Sequence, residues 1–413
     1  MKLSTTFPVL CALALAQHAY AQDGGCDAVT VGTPIYLGGS TALQPFVKAV
    51  GPKLAAQAGS PYTIFYFGGG SCAGVKNIVD PANNPLASST SLTYYVTETD
   101  GGVATKSCTL PASQTQLDVG ISDVFEETCT SAARPATIGD FQGPAQSMVF
   151  VTGKDSTQTA ITAEEAYIAL GFGGTTNKAA PWTADPATNF FIRNDNSGTK
   201  LILAAAIKVP AAKWKGKVEA GSGNVYGDLT AISSAAAAES SLGILGLDYL
   251  DQNDADGTPR RSKVKELAFA AYGQKYAYYP DSTKTSYDKK NLREGRYAGL
   301  GYAHFIVPVD GTGTPTSAKA KYIVDLLTGG TVSPTPSFDV AKTVAKDAHL
   351  VPLCAMKVKR DAEGGDIKEF KPAANCSCYF ESLVGTASSG CVQCTSGTCA
   401  SGSTCRNGWC ETN

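Results

Sequence analysis

Arg193, Ser197, Gly198 and Thr199 fall within seven residues of one another, and groups of these types at this spacing can hold an anion. The whole stretch reads Phe190-Phe191-Ile192-Arg193-Asn194-Asp195-Asn196-Ser197-Gly198-Thr199-Lys200. Its three apolar residues read as the end of a strand that delivers Arg193 to a turn. Ser197-Gly198-Thr199 then opens the apolar, Ala-rich segment Leu201 to Ile207, which reads as a helix. The first N–H groups of a helix lack intrahelical partners and carry partial positive charge. Gly198 lets a ligand approach the backbone closely. Ser197 and Thr199 add hydroxyl donors, and Arg193 adds a planar cationic fork. Together they form a socket for a small tetrahedral anion. Taken alone, the same stretch is also an N-capped helix with a surface arginine.

The pattern recurs. Pro34 to Leu37 reads as a strand that runs into Gly38-Gly39-Ser40-Thr41-Ala42, then an apolar-periodic segment from Leu43 to Ala58. Pro45 sits in the first turn of that segment, where proline is tolerated. Tyr62 to Phe67 leads in the same way to Gly68-Gly69-Gly70-Ser71-Cys72-Ala73-Gly74, and Val75 to Val79 continues helically. Repeated strand, small-residue loop and helix units imply an open α/β sheet, which binds ligands at the carboxyl ends of its strands. Leu117-Asp118-Val119-Gly120-Ile121-Ser122-Asp123 alternates and ends in a polar pair, so Asp123 is placed at another strand's carboxyl end. Its local alternative is a helix cap. The glycine loops carry no nucleotide fingerprint: G-x-x-x-x-G-K-[ST] is absent, and Gly68-Gly69-Gly70 lacks both the G-x-G-x-x-G spacing and its acidic partner.

Around these units the chain divides as follows. Residues 81–116 are polar and read as an insertion with a hairpin strand, Leu92 to Thr97. Gln146 to Thr152 reads as a strand carrying the chain into a second lobe, and Tyr302 to Pro308 as a second crossing. Thr162 to Glu165 has the form of a capping box before Ala166 to Leu170. Leu242 to Leu247 reads as a buried strand followed by Asp248-Tyr249, and residues 272–297 as Tyr-rich surface strands and turns. Ala318 to Leu327 is an amphipathic helix ended by Gly329-Gly330, and Lys346 to Val351 closes the body. The expected organisation is lobe one at 29–146 and 304–353, lobe two at 147–303, a connector at 354–375 and a Cys-rich module at 376–413.

Residues 1–21 have the form of a secretory signal peptide: Lys2, an apolar run from Phe7 to Ala16, and Ala19-Tyr20-Ala21 at the cleavage position. The remaining ~390 residues are enough for two or three domains. The chain is 43% apolar and 17% charged with net charge −2, which gives no basic face for nucleic acid. Of 13 cysteines one, Cys11, leaves with the signal, and the even remainder fits disulfides in an oxidising compartment. Seven of them lie between Cys376 and Cys410, in a segment too poor in large apolar residues to fold by burial. Cys391-x-x-Cys394 has a structural-zinc spacing, but export favours disulfides. The body and the tail each hold an odd number, so complete pairing requires a bridge between them, and Cys354 to Cys376 or Cys378 is the expected one. Cys26, Cys72, Cys108 and Cys129 would then pair among themselves and hold the insertion.

Four motifs, Gly39-Ser40-Thr41, Gly70-Ser71-Cys72-Ala73-Gly74-Val75, Asp118 to Asp123, and Arg193-x-Asp195-x-Ser197-Gly198-Thr199, resemble in order those of periplasmic phosphate-binding proteins that feed high-affinity phosphate ABC transporters. The resemblance covers roughly residues 33–350 without the insertion. It implies a type II periplasmic-binding-protein fold, α/β with two lobes and two hinge crossings, here with a small disulfide-rich C-terminal module added. It also implies phosphate binding by Thr41, the Ala42 N–H, Ser71, Arg193, Ser197, Gly198 and Thr199, with Asp195 orienting Arg193 and Asp123 as the acceptor. The family often has a larger residue at Ala42 and a small or hydroxyl residue at Cys72.

The implied protein is an exported, periplasmic or surface, monomeric binder of inorganic phosphate, without cofactor or metal, that serves an ABC transporter. Two other readings compete. A secreted phosphatase would need a nucleophile–base constellation or a two-metal cluster, and neither is apparent with only His304 and His349 in the mature chain. A surface or adhesion protein would reuse the fold and attach through the Cys-rich tail, whose partner the sequence leaves unknown.

Overall fold

The computed structural model describes residues 23–29, 32–59, 62–99, 101–174, 179–385, 387–395 and 397–412. The signal-peptide expectation lies outside them. Among the described residues no helix is long and apolar enough to cross a membrane.

The first lobe is built on β1 (Thr33–Gly39), α1 (Gln44–Ala55), β2 (Tyr62–Phe67), α2 (Ser71–Val79) and β5 (Val119–Ser122), with β3 (Ser91–Thr97) and β4 (Val103–Thr109) between. β1 pairs in parallel with both β2 and β5. Its side chains are covered on both sides, as a near-continuous apolar run requires. Ile35 and Leu37 pack with Phe46, Val47 and Val50 of α1, while Tyr36 and Phe65 pack with Val75 and Ile78 of α2. The expected insertion is largely this β3–β4 hairpin, which extends the sheet edge through Tyr66 opposite Thr93. Cys26–Cys108 ties the hairpin to the N-terminal strand Asp23–Gly25.

The strand β6 (Ile138–Gly153) links the lobes. Its first part pairs antiparallel with β10 (Leu300–Pro308), and its last part, Met148 to Val151, with β9 (Leu242–Gly246). β7 (Phe190–Arg193) lies between β9 and β8 (Lys217–Glu219), both parallel to it. The helices α3 (Ala163–Phe172), α4 (Gly198–Ile207) and α5 (Ser222–Thr230) supply the second lobe's apolar cover, including Leu170, Leu203 and Leu229. α3 starts in a full capping box between Thr162 and Glu165. β10 pairs antiparallel with β5 on one side and with the first part of β6 on the other. The chain returns just before it, where Met148 N–H donates to Gly299 O at 2.8 Å and Tyr297 OH to Met148 O at 2.8 Å.

Cys354–Cys376 joins the body to the C-terminal module, and Cys72–Cys129 is the other body bridge. The module holds Cys378–Cys391, Cys394–Cys405 and Cys399–Cys410. The zinc-like pair is thus split between two disulfides. The module's helix, α8 (Ser377–Val384), buries Phe380 against Arg293, whose guanidinium lies 4.8 Å from the ring centre.

Candidate functional site

β5 ends at Ser122, and Asp123 follows at its carboxyl end, 1% exposed. Burying a carboxylate is costly unless donors surround it. Ser40 Oγ donates to Oδ1 at 2.5 Å and Gln146 Nε2 donates to the same oxygen at 2.7 Å. Ser71 Oγ donates to Oδ2 at 3.2 Å and accepts from the Asp123 N–H at 3.1 Å. Burial pushes the Asp123 pKa above the usual carboxylate range, while the bonds from Ser40, Gln146 and Ser71 and the charge of Arg193 pull it back. Ser71 itself stands at the first position of α2 because Gly70, with φ 95°, turns the backbone through a region that side chains disfavour.

Lobe two faces this acceptor with donors. β7 delivers Arg193, 1% exposed, at its carboxyl end. Arg193 Nε donates to Glu219 O at 3.3 Å, Nη1 to Ser222 Oγ at 3.3 Å, and Nη2 to Ala220 O and Thr41 Oγ1, both at 3.0 Å. Burial lowers its pKa to about 10, opposed by Asp123 and Glu219, so it stays cationic near neutral pH. The Thr41 contact crosses between lobes, as does the bond from Cys72 N–H to Asn196 O at 3.1 Å.

The N-terminus of α4 closes the arrangement. Ser197 caps it, its Oγ accepting from Lys200 N–H. Gly198 lies so near lobe one that an added Cβ would stand 2.5 Å from both Asp123 Cβ and Ser71 Oγ, and 2.6 Å from Asp123 Oδ2. Thr199 Oγ1 is buried without a hydrogen-bond partner. Across the lobes the geometry brings Gly198 against Ser71 and Asp123, and Arg193 against Thr41, with Ala42, Ser197 and Thr199 next to them in the chain.

Asp195 is a correction. Its side chain is 67% exposed and pairs with Lys200 at 2.7 Å. The carbonyls of Glu219 and Ala220 orient Arg193 instead, because the turn after β7 points Asp195 outward.

Sequence reading left Ser40 and Gln146 without roles. Ser40 was visible inside a quoted motif, and its carbonyl accepts from Tyr66 OH. Gln146 was visible only as a polar residue at the start of an apolar crossing strand. Asp248 was noted without a role, and it is 2% exposed with both carboxyl oxygens unpartnered. His304 lies in the core, its Nδ1 2.6 Å from Asp140 Oδ1.

No protein-family model and no curated protein matches the chain. Among solved structures it is similar to a Clostridium perfringens protein with bound phosphate, at 14% identity over 78% of this chain and 100% of that one, with a TM-score of 0.49. It is also similar to an ABC-type phosphate transport receptor from Vibrio cholerae, at 13% identity over 77% and 99% of the two chains, with a TM-score of 0.45. A phosphate-binding protein from Stenotrophomonas maltophilia matches at 13% identity over 78% and 91%, with a TM-score of 0.43. The likeness is one of chain course.

Proposed function

We propose that the chain captures one inorganic phosphate in the cleft between its lobes and, after export, hands it to an ABC transporter. The observation that carries this reading is Asp123, a buried carboxylate facing the Gly198 end of α4 among groups that otherwise donate. A bare anion is repelled by a carboxylate in a dry site unless it brings a proton. Phosphate near neutral pH keeps one, and sulfate does not. In this reading Arg193, the α4 N-terminus and the hydroxyls of Thr41 and Thr199 donate to the remaining oxygens, and Ser71 turns its hydroxyl from Asp123 to the ligand. Binding rather than turnover fits a site in which His304 is buried and already paired with Asp140.

The Cys-rich module is covalently tied to the body and packed on it, which supports a stabilising part rather than a free attachment arm. The reading is tested by titrating the purified mature protein with phosphate beside Arg193→Ala. Loss of a charged hydrogen-bonding partner should weaken binding by about 2–3 kcal/mol. Unchanged affinity in that variant would remove Arg193 from the site.

A further inference from the structure

Asp248 follows β9 as the second residue of the short helix α6 (Leu247–Leu250) in lobe two. The last residue of β9, Gly246, fixes its location. A Cβ added there would lie 2.5 Å from Asp248 Oδ1 and 3.6 Å from the Ala42 methyl, which belongs to lobe one. The carboxyl group therefore sits in the interface that forms when the lobes meet, against a small residue that leaves it room. The Ala42 N–H donates to Ser40 Oγ at 3.1 Å, and Ser40 donates to Asp123, so the same wall continues into the anion cleft. Tyr249, the next residue, lines an open groove between the lobes with Thr41 and Gln44. Asp248 thus lies one residue from a groove that Thr41 also lines.

The charged groups acting on it are Asp123 from lobe one and Asp251 from the end of its own helix, and both are acidic. Asp251 already has cations of its own, Lys289 at 2.5 Å and Arg261. No cation faces Asp248, and the backbone N–H groups of Asp248 and Tyr249 offset only part of the cost of a charge there. Burial first, and Asp123 and Asp251 after it, hold its pKa well above the usual carboxylate range in this closed arrangement. A carboxyl group in such a place is favoured in its neutral form.

We propose that Asp248 couples cleft closure to proton uptake: with the lobes apart its carboxylate is hydrated and ionised, and closure over the anion draws one proton from solvent onto it. This rests on the reading of the cleft as a phosphate site. The sign follows from linkage. A group whose pKa is higher in the closed state favours closure in acid, and that advantage is lost as pH rises toward the closed-state pKa. Phosphate affinity therefore carries a proton dependence beyond that of phosphate itself and of Asp123.

The test is calorimetric titration of the full mature protein with inorganic phosphate near pH 7, in two buffers of different ionisation heat, which counts protons taken up per phosphate bound. Wild type is compared with Asp248→Asn, which keeps the shape but cannot titrate, and with the smaller Asp248→Ala should the first fail to fold. The expected result is close to one more proton taken up by wild type than by either variant, with the variant's relative affinity rising by up to about tenfold per pH unit. Phosphate binding with equal proton counts in wild type and variant overturns this proposal alone. A wild type that binds no phosphate overturns the reading of the cleft as well.

Discussion

A carboxylate held in a dry cleft chooses a ligand by what that ligand can donate. Asp123 has one oxygen occupied by Ser40 and Gln146, while its other oxygen bonds only Ser71 and faces Gly198. Gly198 is where the lobes come nearest to this carboxylate. A methyl group there meets side-chain atoms of Asp123 and Ser71 on the opposite lobe at distances that real Cβ atoms do not show. Gly198→Ala should therefore prop the cleft and weaken phosphate binding by about 1–3 kcal/mol, the usual cost of overpacking, with little change in unfolding midpoint. An unweakened variant would mean that the lobes do not need this contact. At this scale the sequence was informative where one local motif supplied both the residue and its backbone, as for Arg193 and Ser197 to Thr199. It misled at Asp195, because neighbours in a turn can point opposite ways. It was silent on Gln146, whose partner comes from another element.

The elements that hold these residues owe their legibility to burial. β1, β2 and β7 are covered on both faces, so each reads as a continuous apolar run, and the helices after them start at small-residue loops. The start of α4 came out three residues earlier than its apolar segment, since its first turn is the polar anion loop. β6 extends well beyond the run Gln146 to Thr152, because its first half is polar where it pairs with β10 at the rim of lobe one. The connector after Cys354 lies as a strap against β6 and the start of β10. Arg360 donates to Leu300 O at 3.1 Å and to Ala298 O at 2.9 Å, and Gln142 Nε2 donates to Arg360 O at 3.0 Å. Apart from Lys357, its exposed residues fall between Asp361 and Ala374 and include Asp366, Lys368, Glu369 and Lys371. Limited proteolysis should therefore nick the chain there, and Cys354–Cys376 should keep the module attached on a denaturing gel until reductant is added. Release of the module without reductant would contradict that bridge.

At the scale of the whole molecule, two α/β lobes share β6, and the body–module bridge leaves the Cys-rich module resting on both. Arg293 Nη1 lies 3.2 Å from Glu381 of α8, and Tyr379 OH reaches Asp339 on the side of lobe one. A bridge between body and module was legible from cysteine parity, but the pairing within the module and its docking were not, since residues such as Phe380 and Arg293 meet only in three dimensions. In the proposed function the two lobes close on an anion that carries a proton. The most direct test is a titration of wild type and Asp123→Asn with phosphate and with sulfate at the same pH and ionic strength. Wild type should bind one phosphate per chain and reject sulfate by a factor on the order of 10⁴, and Asp123→Asn should narrow that ratio. Equal affinities for the two anions in wild type, or a ratio that the substitution leaves unmoved, would contradict the account.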